Sequence, residues 1–134
     1  MGKKKNLTKN LYCYGFVQHT NLMKVLQKFD IFLHTSLVET FGSIFIEAMI
    51  KGVPIIAGKN SGAVPEIIKN NGILVDVNNI EQIVCGLNKY IKNPNYWKKI
   101  RYKAHNDVKK KYNSDKIIKK YLDFFRKTLN SKNW

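Results

Sequence analysis

Two glutamates eight residues apart, Glu39 and Glu47, bracket Thr40-Phe41-Gly42-Ser43, where an apolar strand is expected to run into a helix. In an open α/β sheet such a junction lies beyond a strand's carboxyl end, where these sheets bind their ligands. A helix beginning near Ser43 presents unpaired N–H groups and the positive end of its dipole, which suits a phosphate. Gly42 has no Cβ and lets the backbone approach a ligand closely. Glu47, roughly one turn into the helix, is placed to accept hydrogen bonds from vicinal hydroxyls, as acidic residues do with ribose in dinucleotide sites. Glu39, before the turn, can meet a sugar hydroxyl or a developing positive charge. Phosphate and hydroxyl recognition together read as a sugar-nucleotide site. The competing account is structural: Glu39 complements the helix dipole, and Glu47 pairs with Lys51 one turn on, for a few tenths of a kcal/mol. Spacing alone leaves both open.

The elements that must hold this segment follow from periodicity. Met1 to Asn10 is polar and lysine-rich and is expected to be disordered or frayed. Leu11 to Gly15 and Asp30 to His34 are apolar runs of strand length, and between them Leu22, Val25, Leu26 and Phe29 recur at helical spacing, a βαβ pattern. Ile44, Phe45, Ala48 and Met49 mark a helix that Gly52-Val53-Pro54 ends. Val53 to Ala57 is the next buried strand. A Gly58-Lys59-Asn60-Ser61-Gly62 loop follows, then a short helix near Val64 to Lys69 with Pro65 in its first turn, where its missing N–H costs nothing. Ile73 to Val77 reads as the last strand. From Asn79 the period is helical: Ile80, Ile83, Val84, Leu87 and Ile91 form one stripe, and Asn93-Pro94 breaks it. Trp97, Ile100, Tyr102, Ala104 and Val108 form a second. A third helix runs from Ser114, read as its N-cap, through Ile117, Ile118, Tyr121, Leu122, Phe125 and Leu129. The fold class is α/β: a Rossmann-like parallel sheet with C-terminal helices.

Composition bounds the function. At 134 residues and 44% hydrophobic the chain is one domain's worth, at the lower end for a doubly wound sheet. A net charge of +15 raises nucleic acid or an anionic membrane surface as partners. Nearly all of it is Lys, however, with Arg101 and Arg126 the only arginines, and specific phosphate or base recognition tends to use Arg forks. The charge therefore reads as a solvated surface, with peripheral contact to an anionic membrane as the alternative and no nucleic acid. Cys13 and Cys85 are isolated thiols in apolar surroundings, without a CxxC spacing or a secretory signal, and are expected to be buried and free. The longest apolar runs fall far short of the ~20 residues a membrane span needs. A cytoplasmic protein is expected, with the inner membrane face as a peripheral location. No spacing of His, Cys or carboxylates suggests a metal site. His19 is read as a solvated loop residue, His34 as a satisfied core residue and His105 as surface, while Trp97, Tyr102 and Phe124 fit helix packing.

The stretch from Asp30 to Val75, DIFLHTSLVETFGSIFIEAMIKGVPIIAGKNSGAVPEIIKNNGILV, resembles the C-terminal half-site of group 1, family 4-like glycosyltransferases, retaining enzymes with the two-domain GT-B fold. The matching features, in order, are the strand Asp30 to Ser36, the Glu-x7-Glu pair around Phe41-Gly42, Glu47-Ala48-Met49, Gly52-x-Pro54, Gly62 with Glu66, and Gly72-Ile73-Leu74-Val75. Gly15-Phe16-Val17 and the closing helix from Tyr112 to Lys127 also fit, so the resemblance covers roughly residues 11 to 127.

The resemblance implies a donor-binding domain over residues 11–130. Glu47 would hydrogen-bond the ribose of a nucleotide sugar, the backbone at Phe41, Gly42 and Ser43 would face its sugar and diphosphate, and Glu39 would contact the donor sugar and position it for transfer. It implies no cofactor and no metal, the nucleotide sugar being substrate. His19 falls where the family's loop comes near the nucleotide. Thr40 stands where the family often has Gly. The family also has an N-terminal domain that supplies the acceptor site, and a strand and loop carrying an Arg and a Lys for the diphosphate; neither precedes residue 11 here. The expectation is a truncated enzyme, a split subunit or a fragment that needs an N-terminal-half partner chain or self-association. The alternative is a non-enzymatic basic α/β module that binds a partner or an anionic membrane, for which Lys98-Lys99 and Lys109-Lys110-Lys111 speak.

Overall fold

The computed structural model describes residues 10–131, so the expectation of a disordered N-terminus falls, but for Asn10, outside the described residues. Strands β1 (Phe32–His34), β2 (Ile55–Gly58) and β3 (Gly72–Val75) form one parallel sheet in the order β1-β2-β3. Phe32 is registered with Ile55, and Ile55 in turn with Gly72. Parallel neighbours need crossovers, and these are the helices α2 (Ser43–Ile50) and α3 (Val64–Ile68). Helix α1 (His19–Leu26) precedes the sheet, and α4 (Ile80–Ile91), α5 (Pro94–Lys111) and α6 (Ser114–Asn130) follow it.

The central strand is apolar without alternation because both faces of a parallel sheet are covered. Ile55 and Ala57 enter a cluster with Phe45, Ala48 and Met49 of α2, Val64 and Ile68 of α3, and Ala104 and Val108 of α5. Ile56 joins the opposite cluster with Val75, Tyr90 and Ile100. Tyr90 donates its hydroxyl to the Ile55 carbonyl at 3.1 Å, and burial pushes the phenol's pKa well above its ordinary value. Asparagines cap the last three helices: the side chains of Asn79, Asn93 and Asn113 accept from the N–H groups of Gln82, Tyr96 and Lys116. The cap of α6 is thus Asn113, one residue before the expected Ser114.

Four expectations are corrected. Leu11 to Gly15 forms no strand; the segment is irregular, with Leu11, Tyr12 and Tyr14 exposed. An apolar run becomes a strand only where a neighbour completes its hydrogen bonds, and β1 pairs only with β2 among the described residues. Cys13 and Cys85 are exposed rather than buried. His105 is half-buried, its Nδ1 2.7 Å from the Ile50 carbonyl at the end of α2. Tyr102 and Phe124 are 73% and 62% exposed, so of the three aromatics read as packing residues only Trp97 packs, donating Nε1–H to the Asp30 carbonyl at 2.8 Å.

Candidate functional site

Three loops leave the carboxyl edge of the sheet: residues 35–42 after β1, residues 59–63 after β2, and residues 76–79 after β3. Backbone and hydroxyl contacts tie them together. Ser61 Oγ donates to the Ser36 carbonyl at 2.6 Å, Ala63 N–H to the Glu39 carbonyl at 3.2 Å, and Lys59 N–H to the Val75 carbonyl at 2.8 Å. Gly62 makes the approach of the first two possible: it adopts φ +59°, and a Cβ there would run into the Glu39 carbonyl.

Within this frame the 39–43 segment opens α2. Gly42 is its N-cap, in the left-handed region at φ +67°, and no side chain caps the helix. Its first-turn N–H groups therefore sit at the carboxyl edge of the sheet without a side-chain acceptor, the arrangement that favours an anion. Phe41 is exposed beside them, Ser43 is exposed, and Gly42 itself is buried. Glu39 is half-buried; its carbonyl is spent on Ala63, and its carboxylate enters no ion pair among the described residues. Ser43 and Glu47 are four residues apart in one helix and so share a face.

The structure replaces the expected Glu47–Lys51 pair with a different one. The Glu47 side chain is 17% exposed, and its partner is His19 Nε2 at 3.0 Å; no Glu47–Lys51 pair occurs among the described residues. His19 is no free loop residue but the first residue of α1, brought to Glu47 across 28 positions of sequence. Helical periodicity does not signal this contact; the resemblance placed the residue near the nucleotide only. Lys59 is the other residue that sequence reasoning left without a role. It follows β2 directly, 3.8 Å from Asp76, and places a cation at the same edge; its position in a polar loop after a buried strand was the available signal. His34, at the end of β1, was expected to be satisfied. Its ring lies against Phe32 and Phe45, and its Nδ1 is buried with no hydrogen-bond partner among the described residues.

A cavity of about 520 Å³ borders Phe41 and is lined further by Ala63, Glu66, Lys69 and Tyr112. Another of about 500 Å³ lies at the far end of α2, between Lys51, Trp97, Arg101 and His105. That second cavity faces the amino edge of the sheet and the negative end of the α2 dipole, away from the segment described above. No group of three His, Cys, Asp or Glu side chains among the described residues is arranged to hold a metal ion.

Comparison with known proteins agrees with this architecture. The family described as glycosyl transferases group 1 matches residues 1–107, and the chain belongs to that family. An uncharacterized glycosyltransferase of Methanocaldococcus jannaschii is 32% identical over 114 residues, covering 84% of this chain and 29% of the relative. The poly(ribitol-phosphate) alpha-N-acetylglucosaminyltransferase of Staphylococcus aureus is 28% identical over 90% of this chain and 24% of its own length. The solved sucrose-phosphate synthase of Thermosynechococcus elongatus superposes with a TM-score of 0.77 at 20% identity, over 88% of this chain and 30% of the enzyme, a likeness of GT-B fold. The chain thus spans about a third, or less, of the length of these relatives.

Proposed function

We propose that this chain is the donor half-site of a retaining glycosyltransferase, which binds a nucleotide sugar at the carboxyl edge of its sheet for transfer to a polysaccharide or glycolipid acceptor. The observation that carries the reading is Glu47: a carboxylate 17% exposed, on the α2 face shared with Ser43, one turn from an uncapped helix N-terminus. The N-terminal N–H groups of α2 take the diphosphate, the backbone at Phe41, Gly42 and Ser43 faces sugar and phosphate, and Glu47 accepts from the ribose hydroxyls. Glu39 contacts the donor sugar and positions it. Rate enhancement would come from orientation and from stabilising the leaving diphosphate, with no metal required.

Residues 11–130 would be an incomplete donor domain, and α6 supports this. Ile118, Tyr121, Leu122, Phe124, Phe125 and Leu129 are each at least 49% exposed and fall on one arc of the helix. Lys116, Lys119, Lys120, Arg126 and Lys127 fall on the other. An amphipathic helix whose apolar face meets water is one whose partner is elsewhere, here the remaining part of the enzyme or a second copy. The same helix favours the second reading, a basic module lying on an anionic membrane. Salt-sensitive binding to anionic vesicles without nucleotide affinity would select it.

The test is ligand-observed NMR and calorimetry of the chain against UDP, GDP, ADP and their sugar conjugates. One nucleotide should bind, and Glu47→Ala should weaken it by about 1 to 3 kcal/mol, the worth of a hydrogen bond to a charged group. Unchanged affinity in the variant would reject the assigned role.

A further inference from the structure

We propose that His19 is a positioning residue for Glu47 and makes the site selective for ligands that carry a vicinal diol. The inference rests on the donor-site reading of Glu47. His19 Nε2 lies 3.0 Å from Oε1 of Glu47, and in the Nε2–H tautomer it donates to that oxygen. One carboxylate oxygen is thereby engaged by the protein, and Oε2, with two lone pairs, remains to accept from two neighbouring hydroxyls of a ligand.

The two residues differ in a way that gives the contact a direction. Glu47 is mostly buried, at 17% exposure, on a helix packed into the core through Phe45, Ala48 and Met49. His19 is 74% exposed and opens a different helix. The imidazole therefore adds little to the core, and its effect falls on the carboxylate. A free glutamate side chain must surrender its rotamers when it binds, and the hydrogen bond from His19 makes that ordering part of folding instead. Lys51, one turn further along α2, does not compete for the carboxylate. The contact also ties the first residue of α1 to the middle of α2.

His19→Ala should weaken binding of the preferred ribonucleoside diphosphate roughly three- to tenfold, the range of one hydrogen bond. It should leave the already weaker affinity for the 2′,3′-dideoxy analogue unchanged. In a Glu47→Ala background the His19 substitution should have no further effect, and His19→Gln, which keeps an N–H donor, should recover most of the loss. Equal losses for the diol and dideoxy ligands, or additive losses in the double variant, would overturn the proposal. A second measurement needs no ligand: long-range ¹H–¹⁵N spectra should show the Nε2–H tautomer at His19, and Glu47→Gln should move the Nε2 resonance. An imidazole indifferent to that substitution would also overturn it. If no nucleotide binds while the imidazole responds, the contact stands and the donor-site reading fails, and with it the selectivity proposed here.

Discussion

Replacing Gly42 by alanine tests the backbone geometry on which the site depends. Gly42 caps α2 at φ +67°, a conformation that costs an L-residue roughly 1 to 2 kcal/mol. An added Cβ would also lie 2.6 Å from Cδ2 and Cε2 of Phe45 and 3.0 Å from Cγ of Glu39. Phe45 is fully buried between the sheet and α2, so its ring cannot swing aside without disturbing Phe32 and His34, and such overpacking costs roughly 1 to 3 kcal/mol. The expected loss is therefore about 2 to 5 kcal/mol. Gly52→Ala is the control: Gly52 has nearly the same φ, +69°, but its Cβ would meet only the flexible Arg101 side chain, Nε at 3.1 Å. It should lose about 1 to 2 kcal/mol. Urea denaturation followed by circular dichroism separates the two, and the melting temperatures should differ in the same order, at roughly 3 to 5 °C per kcal/mol for a chain of this size. Equal losses in the two variants would mean that the Phe45 ring yields at no cost and that the clash does not matter.

Tyr90→Phe removes the hydroxyl bonded to the Ile55 carbonyl and should cost about 1 kcal/mol at neutral pH. Because burial raises the Tyr90 pKa above its ordinary 10.0, the unfolded chain ionises first, and stability should fall as pH climbs past 10. The phenylalanine variant should show a flatter alkaline limb, and an unchanged alkaline limb in a urea series would count against the buried phenol. Leu122 and Phe125 of α6 are 49% and 55% exposed, so Leu122→Glu with Phe125→Glu should leave the melting temperature within about 2 °C of the parent chain. The same pair should reduce any self-association seen by sedimentation, and a large drop in melting temperature would mean the face is buried within the chain.

Much of the local geometry of the 39–47 segment was legible along the chain because its parts are close in sequence. Ser43 and Glu47 share a face by helix geometry alone. Pro65 in the first turn of α3 and the helical stripes after Asn79 and Asn93 act within a few residues, whereas the cap of α6 fell on Asn113 and not on the expected Ser114. The unbroken apolar character of Ile55-Ile56-Ala57 likewise announced a strand covered on both faces.

Local pattern thus set the order and type of nearly every element and the strand-to-helix segment from Glu39 to Glu47. Long-range packing set the pairing of Glu47 with His19 and not Lys51, and the absence of a strand at Leu11 to Gly15. It also decided that both thiols face solvent and that the apolar stripe of α6 is left bare. The physical reason is range. Capping, turns and helix periodicity involve groups a few bonds apart, and residue type specifies them. Strand pairing, ion-pair choice and burial depend on which distant surface arrives alongside, which no local pattern encodes.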